Sequence, residues 1–388
     1  MSQGMGGLRT LGCAIAGLAS LGVTGTSSPA RADFVQDNLV SDIPGLAATT
    51  DPNLENPWGL VQGPTPFWIS DNVTDVSTLY TGAGAIVPLV VSVPPSNPTG
   101  VVFNGTAGFT FTPSGGSASD TATFLFDTQA GTVDAWSASQ LTQGTATHAT
   151  VVASATGAFT GLATNSSAAG SFLYAANIGA GAIDVYDSSF KNVTTTSFAG
   201  KFVDPNLPAG LVPFNIQSIG GNLYVTYAER NGAGTSAAKI AGVGVVDVFD
   251  ANGNFIKRAA TGGVLDAAWG VALAPANFGS FGDDLLVGNF GNGLINVFDP
   301  NSGLLLGQID GPGGSPLVNQ NLWALEFGNG TNGANPDTLY ITAGINGQQD
   351  GLFAGISAVP EPGTLGLLGS GLLGMLAFRR RLAEARTA

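Results

Sequence analysis

The chain has 388 residues, among them 58 glycines, 21 prolines, one cysteine and one histidine, with 10% charged residues and a net charge of −14. The acidic balance excludes nucleic-acid binding, which needs a basic face to neutralise phosphates. A single Cys and a single His exclude a Cys/His zinc site and a disulfide framework, while 44% hydrophobic content and abundant glycine point to a packed core of many short strands.

The first predicted element is a secretory signal over 1–32. Arg9 supplies its basic start, Leu11 to Val23 its apolar run, and Ala30-Arg31-Ala32 its small-residue cleavage site. Cleavage between Ala32 and Asp33 discards Cys13, so the mature chain has no cysteine and enters an oxidising compartment without using disulfides. Next comes Asp37-Asn38-Leu39-Val40-Ser41, a candidate outer strand for closing a ring.

Six copies of one pattern then fill the ectodomain, 33–358. A first strand centred on Gly or Trp-Gly precedes a Leu-Tyr-Val-type strand. A third strand of the type Ile-x-Val-Phe-Asp ends in a turn. The copies open at Trp58-Gly59-Leu60, Gly100-Val101-Val102, Gly161-Leu162-Ala163, Phe214-Asn215-Ile216, Trp269-Gly270-Val271 and Trp323-Ala324-Leu325. Their anchors Gly59, Gly100, Gly161, Asn215, Gly270 and Ala324 lie 41, 61, 54, 55 and 54 residues apart. Three visible strands with room for a fourth is the signature of a propeller blade. The fold class is therefore all-β, a six-bladed β-propeller flanked by an N-terminal signal helix and a C-terminal apolar helix. Asp187, Asp250 and Asp299 end third strands and open turns.

The last predicted element is a sorting segment over 359–388. Val359-Pro360-Glu361-Pro362 precedes the apolar run Gly363 to Phe378 and the basic cluster Arg379-Arg380-Arg381. Those 16 apolar residues make a helix of about 24 Å, a marginal membrane span, with the arginines on the cytoplasmic side. Setting both ends aside leaves six basic and 24 acidic residues in 33–358, a net of −18. Such a surface stays soluble and attracts cations weakly.

On these residues the tail resembles the PEP-CTERM sorting signal of Gram-negative bacteria. That resemblance implies export by the Sec machinery, transient membrane anchoring, cleavage by an exosortase, and release to the cell surface or extracellular matrix. The ectodomain resembles NHL-type six-bladed propellers. More narrowly, it resembles an uncharacterised family of bacterial exported proteins that often carry such tails. Asn56-Pro57-Trp58-Gly59, Phe67-Trp68-Ile69-Ser70-Asp71-Asn72, Pro213-Phe214-Asn215-Ile216-Gln217 and Ala267-Ala268-Trp269-Gly270 carry this second resemblance. It implies architecture and no activity.

Candidate chemistry is sparse. A Ser-His-Asp arrangement has only His148 to draw on, and no Gly-x-Ser-x-Gly elbow occurs. A Ca²⁺ site at one mouth is the better-motivated expectation. Glu55 and Asp266 precede the first-strand tryptophans of two units by three residues, and Asn72, Asn177 and Asn289 end equivalent second strands. Trp58, Trp269 and Trp323 serve either core packing between blades or a ring that stacks on a sugar. Two functions follow. One is a non-enzymatic binding or matrix module, with extracellular polysaccharide a candidate partner. The other is a Ca²⁺-dependent, lactonase-like hydrolase working at the channel mouth. The thin nucleophile inventory favours the first.

Overall fold

The repeated strands pair as six antiparallel sheets in chain order, seen in a computed structural model that describes residues 34–143 and 147–359. Their innermost strands are Pro57–Gln62, Pro98–Phe103, Phe159–Ser167, Leu211–Ile219, Ala268–Leu273 and Leu322–Phe327. Each inner strand touches the next, and the sixth returns to the first, so the ring is closed. The strand Phe34–Ser41 pairs with Leu352–Ala358 and becomes the outer strand of blade 6. The first described strand thereby locks onto the last blade, and no open edge remains between the ends of the ring.

Four blades have four strands, and the sheet of blade 6 has five, because the short Thr49–Thr50 pairs parallel to Phe34–Ser41. Blade 3 has three, Phe159–Ser167, Gly170–Asn177 and Ala182–Asp187. The irregular stretch 188–210 replaces its fourth strand and packs by aromatic contact. Phe198 meets Tyr174 at 6.0 Å, and Phe202 meets Phe249 of blade 4 at 5.3 Å. The long second spacing has its own cause, a two-stranded ribbon of Thr110–Phe111 and Asp120–Thr121 inserted after the first strand of blade 2. Asp187, Asp250 and Asp299 each accept backbone N–H groups from the residues that follow, among them Ser189, Asn252 and Asn301, which makes them turn formers.

All six blades share one irregularity. Pairing of the first strand with the second shifts register at 57–60, 98–101, 159–162, 213–215, 268–271 and 322–325. A bulge at the same level re-aims neighbouring side chains and tightens the local twist. In blades 1 and 5 the position beside it must be small, because adjacent inner strands nearly touch there. A Cβ on Gly59 would lie 2.5 Å from the carbonyl of Thr99, and one on Gly270 would lie 2.4 Å from that of Trp323. Glycine at these anchors serves close approach between blades rather than turning.

Helix among the described residues is confined to the short pieces Gln140–Gln143, Gly279–Phe281 and Ile345–Gln348. No described helix is long and apolar enough to cross a membrane. The predicted signal helix with its Ala32–Asp33 cleavage point lies outside the described residues. So do Pro360, Glu361, Pro362, the apolar helix and Arg379, Arg380 and Arg381.

Candidate functional site

The upper end of the channel, where the inner strands begin, is filled by aromatic rings. Asn56, Ala267 and Asn321 take positive φ values of 47°, 49° and 51°, and two residues later the bulges bring Trp58, Trp269 and Trp323 to one another. Trp58 stacks on Trp323 with centroids 3.5 Å apart, and Phe290 covers the same indole at 4.2 Å. Trp269 meets both tryptophans edge-on, at 6.4 and 5.8 Å. All three are at most 4% exposed. Indole N–H groups tie the cluster to other blades: Trp269 Nε1 donates to Thr160 O at 2.7 Å, and Trp323 Nε1 to Asn56 Oδ1 at 3.1 Å. Of the two expectations for these tryptophans, core packing is what the geometry supports, since their faces are spent on each other.

Lys239, from the connection between the second and third strands of blade 4, lies over this plug. Its Nζ sits 4.3 Å from the Phe290 centroid and donates to Asn321 Oδ1 of blade 6. Partial burial draws its pKa down, and the nearby Asp266 carboxylate opposes that shift. Gln129 Nε2 of blade 2 donates to Thr235 O at 2.8 Å and pins the same connection from the opposite side.

The expected Ca²⁺ ligands surround this end, each with local work. Asn72 Oδ1 accepts from Asn56 Nδ2 at 3.2 Å, and Asn72 Nδ2 donates to Pro98 O. Asn177 accepts from Ala180 N and donates to Thr156 O and Asp184 Oδ2. Asn289 accepts from Asp266 N and donates to Val264 O. These three amides sit in blades 1, 3 and 5 and fasten the loops around them. Asp266 is 8% exposed, and burial raises its pKa against the pull of Lys239. Glu55 is half-buried, and its backbone carbonyl accepts from Val73 N. Among the described residues no three His, Cys, Asp or Glu side chains converge on one point. His148 is exposed on blade 2, where its backbone bridges Ser92.

Below the plug the channel opens into a cavity of about 310 Å³ bounded by all six inner strands. Its upper wall includes Trp269 and Asn215; its lower rim includes Phe103, Leu273 and Phe327. Asn215 Nδ2 donates to Trp269 O at 2.8 Å and holds blade 4 against blade 5. Glu326 is the carboxyl of this cavity. Gln62 N donates to its Oε1 at 2.9 Å, while burial pushes its pKa up to about 8 against that hydrogen bond. Gln217 faces the same space and donates across it to Leu325 O at 3.5 Å. The described chain ends on this lower side: Ser357 pairs with Thr338, the residue that resumes strand structure after the loop following Phe327.

In the sequence Glu326 is one of three glutamates in 33–358, with Glu55 and Glu229. The repeat register carried a sharper signal, because its equivalents Val61, Val102, Ala163 and Ala272 are all apolar. A second set went unremarked. Asp134, Asp184 and Asp247 occupy the variable position of the third strand, and burial raises all three, to about 8 for Asp134 and about 7 for Asp247. Asp127, raised to about 6 by burial, accepts from Thr99 Oγ1 at 2.7 Å and from Gly100 N. Asp127, Asp184 and Asp247 join strands through Thr99, Asn177 and Arg258, and Asp134 accepts from Thr132 of its own strand.

Comparison with known proteins adds four findings. The PEP-CTERM protein-sorting motif matches residues 358–381. Uncharacterized protein R648 of Acanthamoeba polyphaga mimivirus is 31% identical over 327 residues, covering 82% of this chain and 78% of that protein. Uncharacterized protein L690 of the same virus is 32% identical over 289 residues, covering 72% and 75%. Among solved structures, an auxiliary nutrient binding protein from Bacteroides ovatus aligns with a TM-score of 0.54 at 9% identity, over 85% of this chain and 78% of that one. Likeness at such identity concerns fold alone.

Proposed function

The chain belongs to the family of the mimivirus proteins R648 and L690, and on that premise we propose that it is an exported propeller acting as a non-enzymatic binding module at the cell surface. Its tail carries the PEP-CTERM sorting motif, which implies processing by an exosortase. The observation that carries the binding reading is the closed upper end. Aromatic rings fill the end where the alternative, hydrolase reading set its site, and a cavity bounded by all six inner strands lies beside them. A cup with one carboxyl, no histidine and no cysteine in its wall suits holding a ligand more than turning it over. Extracellular polysaccharide is the partner in keeping with such sorting.

Two measurements test this. Fractionation of a native host should recover the protein outside the cytoplasm, and retention inside would overturn the sorting. The full-length chain in mild detergent should cosediment with the host's extracellular polysaccharide. Failure to do so, together with Ca²⁺-dependent turnover of a lactone panel, would replace the binding module with a hydrolase.

A further inference from the structure

We infer that the lower channel is a seat for a neutral, hydroxyl-bearing ligand of about monosaccharide size, held by Glu326 and Gln217. This inference rests on the binding-module reading and specifies where the module binds and what chemistry it takes.

Size comes first. A cavity of about 310 Å³ stands at the small end of ligand pockets, which run from about 300 to 1,000 Å³. Its polar groups converge from separate blades. Glu326 and Gln217 hold equivalent places in blades 6 and 4, while the same place in the other four blades is apolar. The Gln217 bond to Leu325 O is long at 3.5 Å, so a ligand hydroxyl can replace it at small cost. Only one Glu326 oxygen is engaged by Gln62 N, and the side chain remains partly exposed.

Charge decides the class. No Lys or Arg lines the cavity, so a phosphate or carboxylate would meet Glu326 without a counter-charge. A cationic ligand would require Glu326 to ionise where burial holds its pKa near 8. A neutral hydroxyl avoids both costs, because a protonated carboxyl both donates and accepts. Phe103 and Phe327 at the rim offer apolar faces to the C–H side of a ring.

The test is calorimetry on the full-length chain in detergent. N-acetylglucosamine and glucose are the neutral probes, with glucosamine and glucose 6-phosphate as charged counterparts. Neutral probes should bind and the charged ones should bind at least about tenfold more weakly. Glu326→Ala and Gln217→Ala should each weaken neutral binding about tenfold, and Glu326→Gln, which keeps a neutral donor and acceptor, should stay within about threefold. Lys239→Met, beyond the plug, should leave binding unchanged and serve as the folding control. Loss in Glu326→Gln with glucosamine preferred would overturn the neutral class. Wild-type affinity in both alanine variants would overturn the site while leaving the module. Polysaccharide cosedimentation without binding of either neutral probe would also sink the seat alone. Absence of both would bring down the binding-module reading beneath it.

Discussion

The two ends of the channel are built from the same six strands and differ by one layer of side chains. At the bulge, Trp58, Trp269 and Trp323 meet over the axis and close it. Toward the lower end the strands present Val61, Ala163, Gln217, Ala272 and Glu326, and a cup remains. A propeller scaffold thus sets where side chains converge, and their size at each level decides whether that level is core or site.

This contrast can be broken most severely at the plug. Trp323→Ala removes an indole that is 0% exposed and stacked on both sides, and should cost about 3–5 kcal/mol in urea denaturation. A loss below about 1 kcal/mol would show the upper end to be loosely filled. Gly270→Ala should cost about 1–3 kcal/mol, since its Cβ would be 2.4 Å from the Trp323 carbonyl and blade 5 would have to move off blade 6.

A pH titration sharpens the comparison by setting the carboxyl of the cup beside the acids buried in the blades. Asp127, Asp134, Asp247 and Glu326 have folded pKa values raised to about 6, 8, 7 and 8 by burial. The native state then holds more protons than the unfolded chain above the ordinary carboxyl range. Stability is greatest below about pH 4 to 5 as far as these groups are concerned, and it falls as pH rises through about 6 to 8. Solvent relaxation reduces the sum, so a decline on the order of 1–2 kcal/mol is expected across that window in denaturation at constant ionic strength. Glu326→Gln should flatten the upper part of the curve; a curve unchanged by that substitution would show that Glu326 is ionised in the fold. The smallest effect belongs to Lys239→Met. Its exposed position predicts a stability change below about 0.5 kcal/mol, with ligand binding intact. Added Ca²⁺ should leave the melting temperature where it was, and a rise would restore an ion to the upper end.

Much of the fold was legible because its signals are local. Alternating third strands such as Val246-Asp247-Val248 and turn formers such as Asp250 report on neighbours a few residues away. The six-fold spacing and the closing strand near Asp37–Ser41 followed from the same local patterns, and the structure extends that strand to Phe34. The missing fourth strand of blade 3 did not show, because 188–210 holds its place by aromatic packing with no period.

The site was far less legible. Local pattern determined the all-β class, six blades and the sorting motif at the end of the chain. Tertiary structure alone decided which mouth is open, because that depends on pairs such as Asn56 and Trp323, 267 residues apart. It also decided what Glu326 is. An ordinary glutamate in the sequence becomes a half-buried carboxyl with a raised pKa only when strands from across the chain crowd around it.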